Sequence, residues 1–218
     1  MMPRLLLEIL SYAILFPAIV GAVRFKSILK SYRPFVYLIW GGLLNEIIST
    51  VTITIFHGDT INNNIYALFD YVMVMLLFIC WDEQGQKKNL LRVLLILGVL
   101  TWIGEYIIFK SIHNISSYFR IVRGVILVYL SIEELNNALF NEIRRSYKSA
   151  KLIICLGFII VYTYTSVIEI FVVLNVELSS TFFSNMYVIL AYINLFTNLF
   201  FGLAMLWVPT KRQFTLPY

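Results

Sequence analysis

Seven apolar runs, each long enough to cross roughly 30 Å of hydrocarbon as a helix, take up about two thirds of the chain. They lie at about 5–23, 35–56, 65–81, 90–109, 118–135, 152–174 and 186–207. A backbone inside a bilayer must satisfy its own N–H and C=O groups, and a helix does so within one segment. Composition agrees: 60% hydrophobic residues, 13% charged residues and a mean hydropathy of +0.83 exclude a water-soluble domain. The expected fold is all-α, a polytopic transmembrane bundle of seven helices forming one domain over 1–218. Residues 208–218 are expected to be a short cytoplasmic tail. The first run is read as a retained helix rather than a signal peptide. Only Arg4 precedes it, Glu8 interrupts it, and no Ala-x-Ala closes it.

The net charge of +5 does not point to nucleic acid, because the basic residues form neither a face nor an arm. They sit in alternate loops instead. Arg24, Lys26, Lys30 and Arg33 follow the first run; Lys87, Lys88 and Arg92 flank the fourth; Arg144, Arg145, Lys148 and Lys151 precede the sixth; Lys211 and Arg212 end the chain. That is thirteen of the seventeen Lys and Arg residues. Such loops stay cytoplasmic, which predicts an N-terminus outside and a C-terminus inside a cytoplasmic (inner) membrane. Cys80 and Cys155 then lie near inner helix ends, where single cysteines are packing residues and no disulfide is expected.

Ionisable residues inside the runs carry the most information, since a charge at the centre of a membrane helix costs at least about 2.5 kcal/mol. Helix 2 carries Asn45 and Glu46, on a stripe with Gly42, Ser49 and Thr52. Helix 3 carries Tyr66 and Asp70 one turn apart, and helix 4 carries Gly98, Thr101 and Glu105 on one face. Helix 5 carries Arg120, Arg123, Ser131 and Glu134; helix 6 carries Tyr162, Thr165, Ser166 and Glu169; helix 7 carries Tyr187, Asn194 and Asn198. At about 1.5 Å per residue, most of these groups fall in the outer half of the bundle and are expected to converge on a polar pocket open to the outside. The candidate ligand-binding or intramembrane polar network is therefore Asn45, Glu46, Tyr66, Asp70, Glu105, Arg120, Arg123, Glu169, Asn194 and Asn198. A competing reading makes the two arginines part of an interhelical ion-pair network that sets helix register. On either reading Arg123 is expected to pair with a carboxylate from helix 3, 4 or 6. Five carboxylates (Glu8, Glu46, Asp70, Glu105 and Glu169) against Arg120 and Arg123 leave an excess of three negative charges to be compensated.

Other features are weaker. Glu133 and Glu134 read as a solvated helix end, and Trp40 and Trp102 as residues that pack or line a pocket. Pro17 removes a hydrogen bond to the preceding turn and is expected to kink helix 1. A tyrosine pair five residues apart recurs in helix 3 (Tyr66, Tyr71) and helix 7 (Tyr187, Tyr192), and Ser31-Tyr32-Arg33 is matched by Ser146-Tyr147-Lys148. Both suggest a 3+1+3 repeat.

Several chemistries fail on residue types. The only histidines, His57 and His113, fall in outer loops, which leaves neither a multi-histidine zinc site nor an intramembrane Ser/His dyad. Helix 7 lacks a lysine for a retinal Schiff base, and Asp70 is the only aspartate within a run. No metal and no cofactor are expected. A carboxylate-based membrane enzyme using Glu46, Asp70, Glu105 or Glu169 stands behind two other readings. One is a small transporter, and the other is a receptor-like sensor or accessory subunit of a larger complex. Expected partners are the lipid bilayer with either a small solute or cation, or a membrane protein; nucleic acid is not expected.

Phe16-Pro17, the Asn62-Asn63-Asn64 run leading to Tyr66 and Asp70, and the Asn194 and Asn198 pair carry a resemblance. On these residues the chain resembles an uncharacterised bacterial family of seven-helix integral membrane proteins, in which glutamate stands at the place of Asp70. In architecture it is also similar to small seven-helix solute carriers with the same orientation. The resemblance implies the seven-helix fold and no activity.

Overall fold

The computed structural model describes residues 10–56, 58–82, 84–109, 116–140, 145–174 and 179–210. Seven α-helices and no strand occur among the described residues: α1 Leu15–Arg24, α2 Arg33–Phe56, α3 Thr60–Trp81, α4 Lys88–Phe109, α5 Ser117–Phe140, α6 Arg145–Val173 and α7 Ser180–Trp207. Pro17 leaves its mark one turn earlier, where the chain tightens into a 3-10 turn at Tyr12–Ile14 before α1. Several helices begin earlier than their apolar runs. The α3 helix starts at Thr60 rather than 65, α6 at Arg145 rather than 152, and α7 at Ser180 rather than 186. Apolar length measures the hydrocarbon a helix crosses, whereas polar residues extend the helix beyond it as long as its end groups are satisfied. At α7 the Ser179 side chain does this by accepting from the Phe182 N–H at 3.2 Å.

Each helix packs on its neighbours in sequence, α1 packs on α7 to close the ring, and α3 also touches α5. The connecting contacts place alternate helix ends together. At one end the Arg24 guanidinium donates to the Met205 carbonyl and, at 3.2 Å, to that of Val208, which caps the C-terminus of α7. Ile28 and Thr210 form a single antiparallel bridge beside it. The same end holds the Lys87–Glu133 ion pair, a Lys151–Glu134 pair at 3.7 Å, and the Lys151 ammonium 5.0 Å from the Trp81 ring centroid. Glu133 and Glu134 are thus not merely a solvated helix end; they tie α5 to the start of α4 and to α6. This is the basic end of the bundle. The far end gathers the start of α3, the start of α5, the end of α6 and the start of α7.

The core is apolar, but charge is buried within it and the outer surface is aliphatic. Asp70 and Arg123 are each 7% exposed and Glu169 6%, while Val23 is 81% and Ile108 72% exposed. A chain that buries charge and presents aliphatic side chains outward is arranged for a hydrocarbon solvent. Among the described residues, five helices are long and apolar enough to cross a membrane: Lys30–Ile55, Thr60–Trp81, Lys88–Ile108, Ala150–Val173 and Thr181–Trp207. The described part of the first helical segment, Tyr12–Arg24, is shorter. The fifth helix is too polar, because Arg120, Arg123, Ser131 and Glu134 interrupt its apolar face. Its close fit on α6 depends on Gly124, where an added Cβ would stand 1.9 Å from Ser166 Oγ and 3.2 Å from the Tyr162 carbonyl oxygen.

Candidate functional site

Three consecutive asparagines at the start of α3 point about 100° apart, so each meets a different part of the bundle. Asn62 Nδ2 donates to Asn45 Oδ1 and Ser49 Oγ on α2, both at 2.9 Å. Asn63 Nδ2 donates to Asp59 Oδ2 at 2.6 Å, and Asn64 Oδ1 accepts from Ser116 N at 3.2 Å and Oγ at 3.1 Å. The Asn64 carbonyl takes the Trp102 indole N–H at 3.2 Å, and Trp40 donates to the Ala18 carbonyl at 3.3 Å. Both tryptophans therefore fasten helices together.

About two turns further along α3 lies Asp70. Arg123 Nη1 on α5 donates to Asp70 Oδ2 at 2.9 Å and to the Ala67 carbonyl at 3.1 Å. The Tyr162 hydroxyl on α6 reaches both Asp70 oxygens, at 2.9 and 3.0 Å, and its ring lies 5.4 Å from the Arg123 guanidinium. Three helices thus meet in one cluster of charge and hydroxyl. A second pair sits beside it: Arg120 Nη1 lies 3.1 Å from Glu169 Oε1, whose Oε2 accepts from Ser117 Oγ at 2.7 Å.

Glu105 has a different task. Its carboxylate accepts the Phe119 N–H at 2.8 Å and the Tyr118 N–H at 3.3 Å, so α4 caps the first turn of α5. Of the five carboxylates counted in the apolar runs, Asp70 and Glu169 take one arginine each, Glu105 takes two backbone donors, and Glu8 lies outside the described residues. Glu46 remains. The Ser11 hydroxyl bonds its carboxylate, and it forms no ion pair among the described residues.

Glu46 faces a cavity of about 290 Å³. Eight of the ten candidate residues line it: Asn45 and Glu46 from α2, Tyr66 and Asp70 from α3, Arg120 and Arg123 from α5, and Asn194 and Asn198 from α7. Glu105 and Glu169 stand behind its wall. Ser11, Asn63, Tyr162, Thr165 and Thr197 also line it. Tyr162 and Thr165 belong to the polar stripe of helix 6, and Thr197 lies within the Asn194–Asn198 turn. Asn63 was legible as the middle of its run, while Ser11 has no sequence signal beyond polarity within an apolar run. A second cavity of about 180 Å³ shares Ser11, Asn45, Glu46 and Asn63, and runs to Asp59 at the far end.

The opposite side of the cavity is aromatic. Phe158 and Phe201 line it and pack at 5.5 Å between ring centroids, backed by Phe35 at 6.5 and 5.2 Å and by Phe78 at 6.4 Å from Phe158. Phe35, Phe158 and Phe78 are 0 to 2% exposed. The layer closes the cavity toward the basic end. Among the described residues, no three His, Cys, Asp or Glu side chains come together as a metal site. His57 and His113 lie outside the described residues.

No known protein family, no curated protein and no solved structure matches the chain.

Proposed function

We propose that this is an integral protein of the cytoplasmic membrane, with its basic end on the cytoplasmic side, that binds and carries a small polar solute in the cavity beside Glu46. The observation that carries the reading is the state of that carboxylate. A structural ion pair gives each charge a partner, as Asp70 and Glu169 have, but Glu46 combines a half-buried position with no ion-pair partner among the described residues, although Arg120 and Arg123 line the same cavity. Charge held without compensation inside a helix bundle is costly, and the usual return on that cost is a ligand or ion. Asn194 and Asn198 support the same reading, since neither amide is hydrogen-bonded among the described residues although both face the cavity. The orientation is supported by the loop charges: the cavity and its smaller extension face away from the basic end, and the aromatic layer shuts the other side.

The test is solute uptake by proteoliposomes containing only this chain. Uptake that falls at least about tenfold in Glu46→Gln, with a folded protein, is the expected result. Specific binding without uptake would make the protein a sensor or accessory subunit, and neither binding nor uptake would end the proposal.

A further inference from the structure

The walls of the cavity differ in charge, and the difference specifies a ligand. The acidic side is α2, where the Glu46 carboxylate accepts a hydroxyl donor and no cation. The basic side is α5, and α3, which packs on both helices, stands between them. Arg120 and Arg123 each use Nη1 for their carboxylate partners. Among the described residues Nη2 of each has no acceptor, and the buried Nε–H of each has none either. Arg123 is more than nine-tenths buried and lines the cavity, so its donors cannot all be paid off by bulk water. The third side is apolar, formed by Phe158 and Phe201 with Ile14, Leu38 and Ile39.

Resting on the solute-site reading above, we propose that the occupant is a small amphipathic zwitterion, an amino acid with an aliphatic or aromatic side chain. Its ammonium group is held by Glu46, its carboxylate by Arg120 and Arg123, and its side chain lies on the phenylalanine layer. The simpler classes each leave one wall unanswered. An inorganic or organic cation satisfies Glu46 and adds nothing for the guanidinium donors. A lone carboxylate meets those donors and is repelled by Glu46. A polyol leaves Glu46 uncompensated and sets hydroxyls against phenylalanine rings. Size agrees: a cavity of about 290 Å³ has room for a single compact solute.

The experiment is equilibrium binding to the full chain in lipid nanodiscs, read in parallel by thermal unfolding, with four probes: L-leucine, leucinamide, 4-methylpentanoate and mannitol. The amide keeps the ammonium and removes the acid, and 4-methylpentanoate does the reverse. Leucine is expected to bind and raise the unfolding midpoint. Each single-charge analogue is expected to bind at least about tenfold more weakly, the loss of one charge-assisted contact. Glu46→Gln is expected to weaken leucine by a similar factor and leave 4-methylpentanoate unweakened. Because the probe series uses the unaltered protein, it decides the matter even if a variant fails to fold. Leucinamide binding as tightly as leucine would make this a cation site, and 4-methylpentanoate doing so would make it an anion site; either overturns the zwitterion. Mannitol binding without leucine would keep the solute reading and overturn this one. Binding of none of the four to folded protein would overturn both.

Discussion

Arg123 of α5 and Asp70 of α3 lie 2.9 Å apart, each 7% exposed, with the Tyr162 hydroxyl of α6 closing on the same carboxylate. Two opposite charges taken out of water together can come near to breaking even, but either one left alone does not. The pair therefore acts as a latch among three helices. Arg123→Gln is expected to destabilise the bundle by about 3–5 kcal/mol, and Asp70→Asn by a similar amount. The double variant should recover a good part of that loss. Unfolding of the purified protein in detergent provides the cycle, and an Arg123→Gln protein as stable as the parent would contradict the latch.

Glu105 and Glu46 should separate by phenotype. Glu105→Ala removes the acceptor for two backbone N–H groups at the start of α5 and is expected to cost about 1–2 kcal/mol, with solute binding unchanged. Glu46→Gln removes a charge that has no ion-pair partner, so stability should not fall, while binding of the zwitterion should weaken at least about tenfold. Thermal unfolding and binding measured on both variants test this, and the reverse assignment would exchange their roles.

Gly124 permits the close contact of α5 with α6. Its Cβ in Gly124→Ala would stand 1.9 Å from Ser166 Oγ, which forces the Ser166 side chain or the helices to shift. Such overpacking costs about 1–3 kcal/mol. Combining it with Ser166→Gly should restore part of the stability, leaving only the 3.2 Å approach to the Tyr162 carbonyl. Additive losses in the double variant would show that the strain lies elsewhere.

How far these features could be read from the sequence depends on their physics. The helices and their alternate basic loops are legible because apolar length and loop charge are properties of single segments. The helix starts are less so: Asn62 to Asn64 look like loop residues, yet each finds a hydrogen-bond partner, Asn62 on α2, Asn64 at Ser116 just before α5, and Asn63 at Asp59, the cap of its own helix. The same limit applies to the site. Helical spacing places Glu105 on an inward face at the right depth, but it does not reveal that the start of α5 lies against it. Nor does it show that Tyr162 joins Asp70, since the depth and face of α6 are compatible with several neighbours. The polar stripes specify which residues are turned from lipid. Their pairing is decided in three dimensions.

Orientation can be tested with single cysteines in a background lacking Cys80 and Cys155. Asp59→Cys, in the α2–α3 turn, is expected to react with a membrane-impermeant thiol reagent added outside the cell. Lys87→Cys, at the basic end, should react only after the membrane is opened. The opposite pattern would invert the cavity with respect to the membrane.

The most direct measurement of the central claim is access to Asn194→Cys in sealed vesicles of known orientation, in the same background. Asn194 lines the polar cavity on the far side of the Phe158–Phe201 layer from the basic end. In the unliganded protein, a small charged thiol reagent is predicted to modify it from the face opposite the basic loops, and not from the face that carries Lys87. Modification from the basic side alone, or no modification from either side of a folded protein, would contradict a solute cavity open at one end and sealed by aromatic rings at the other.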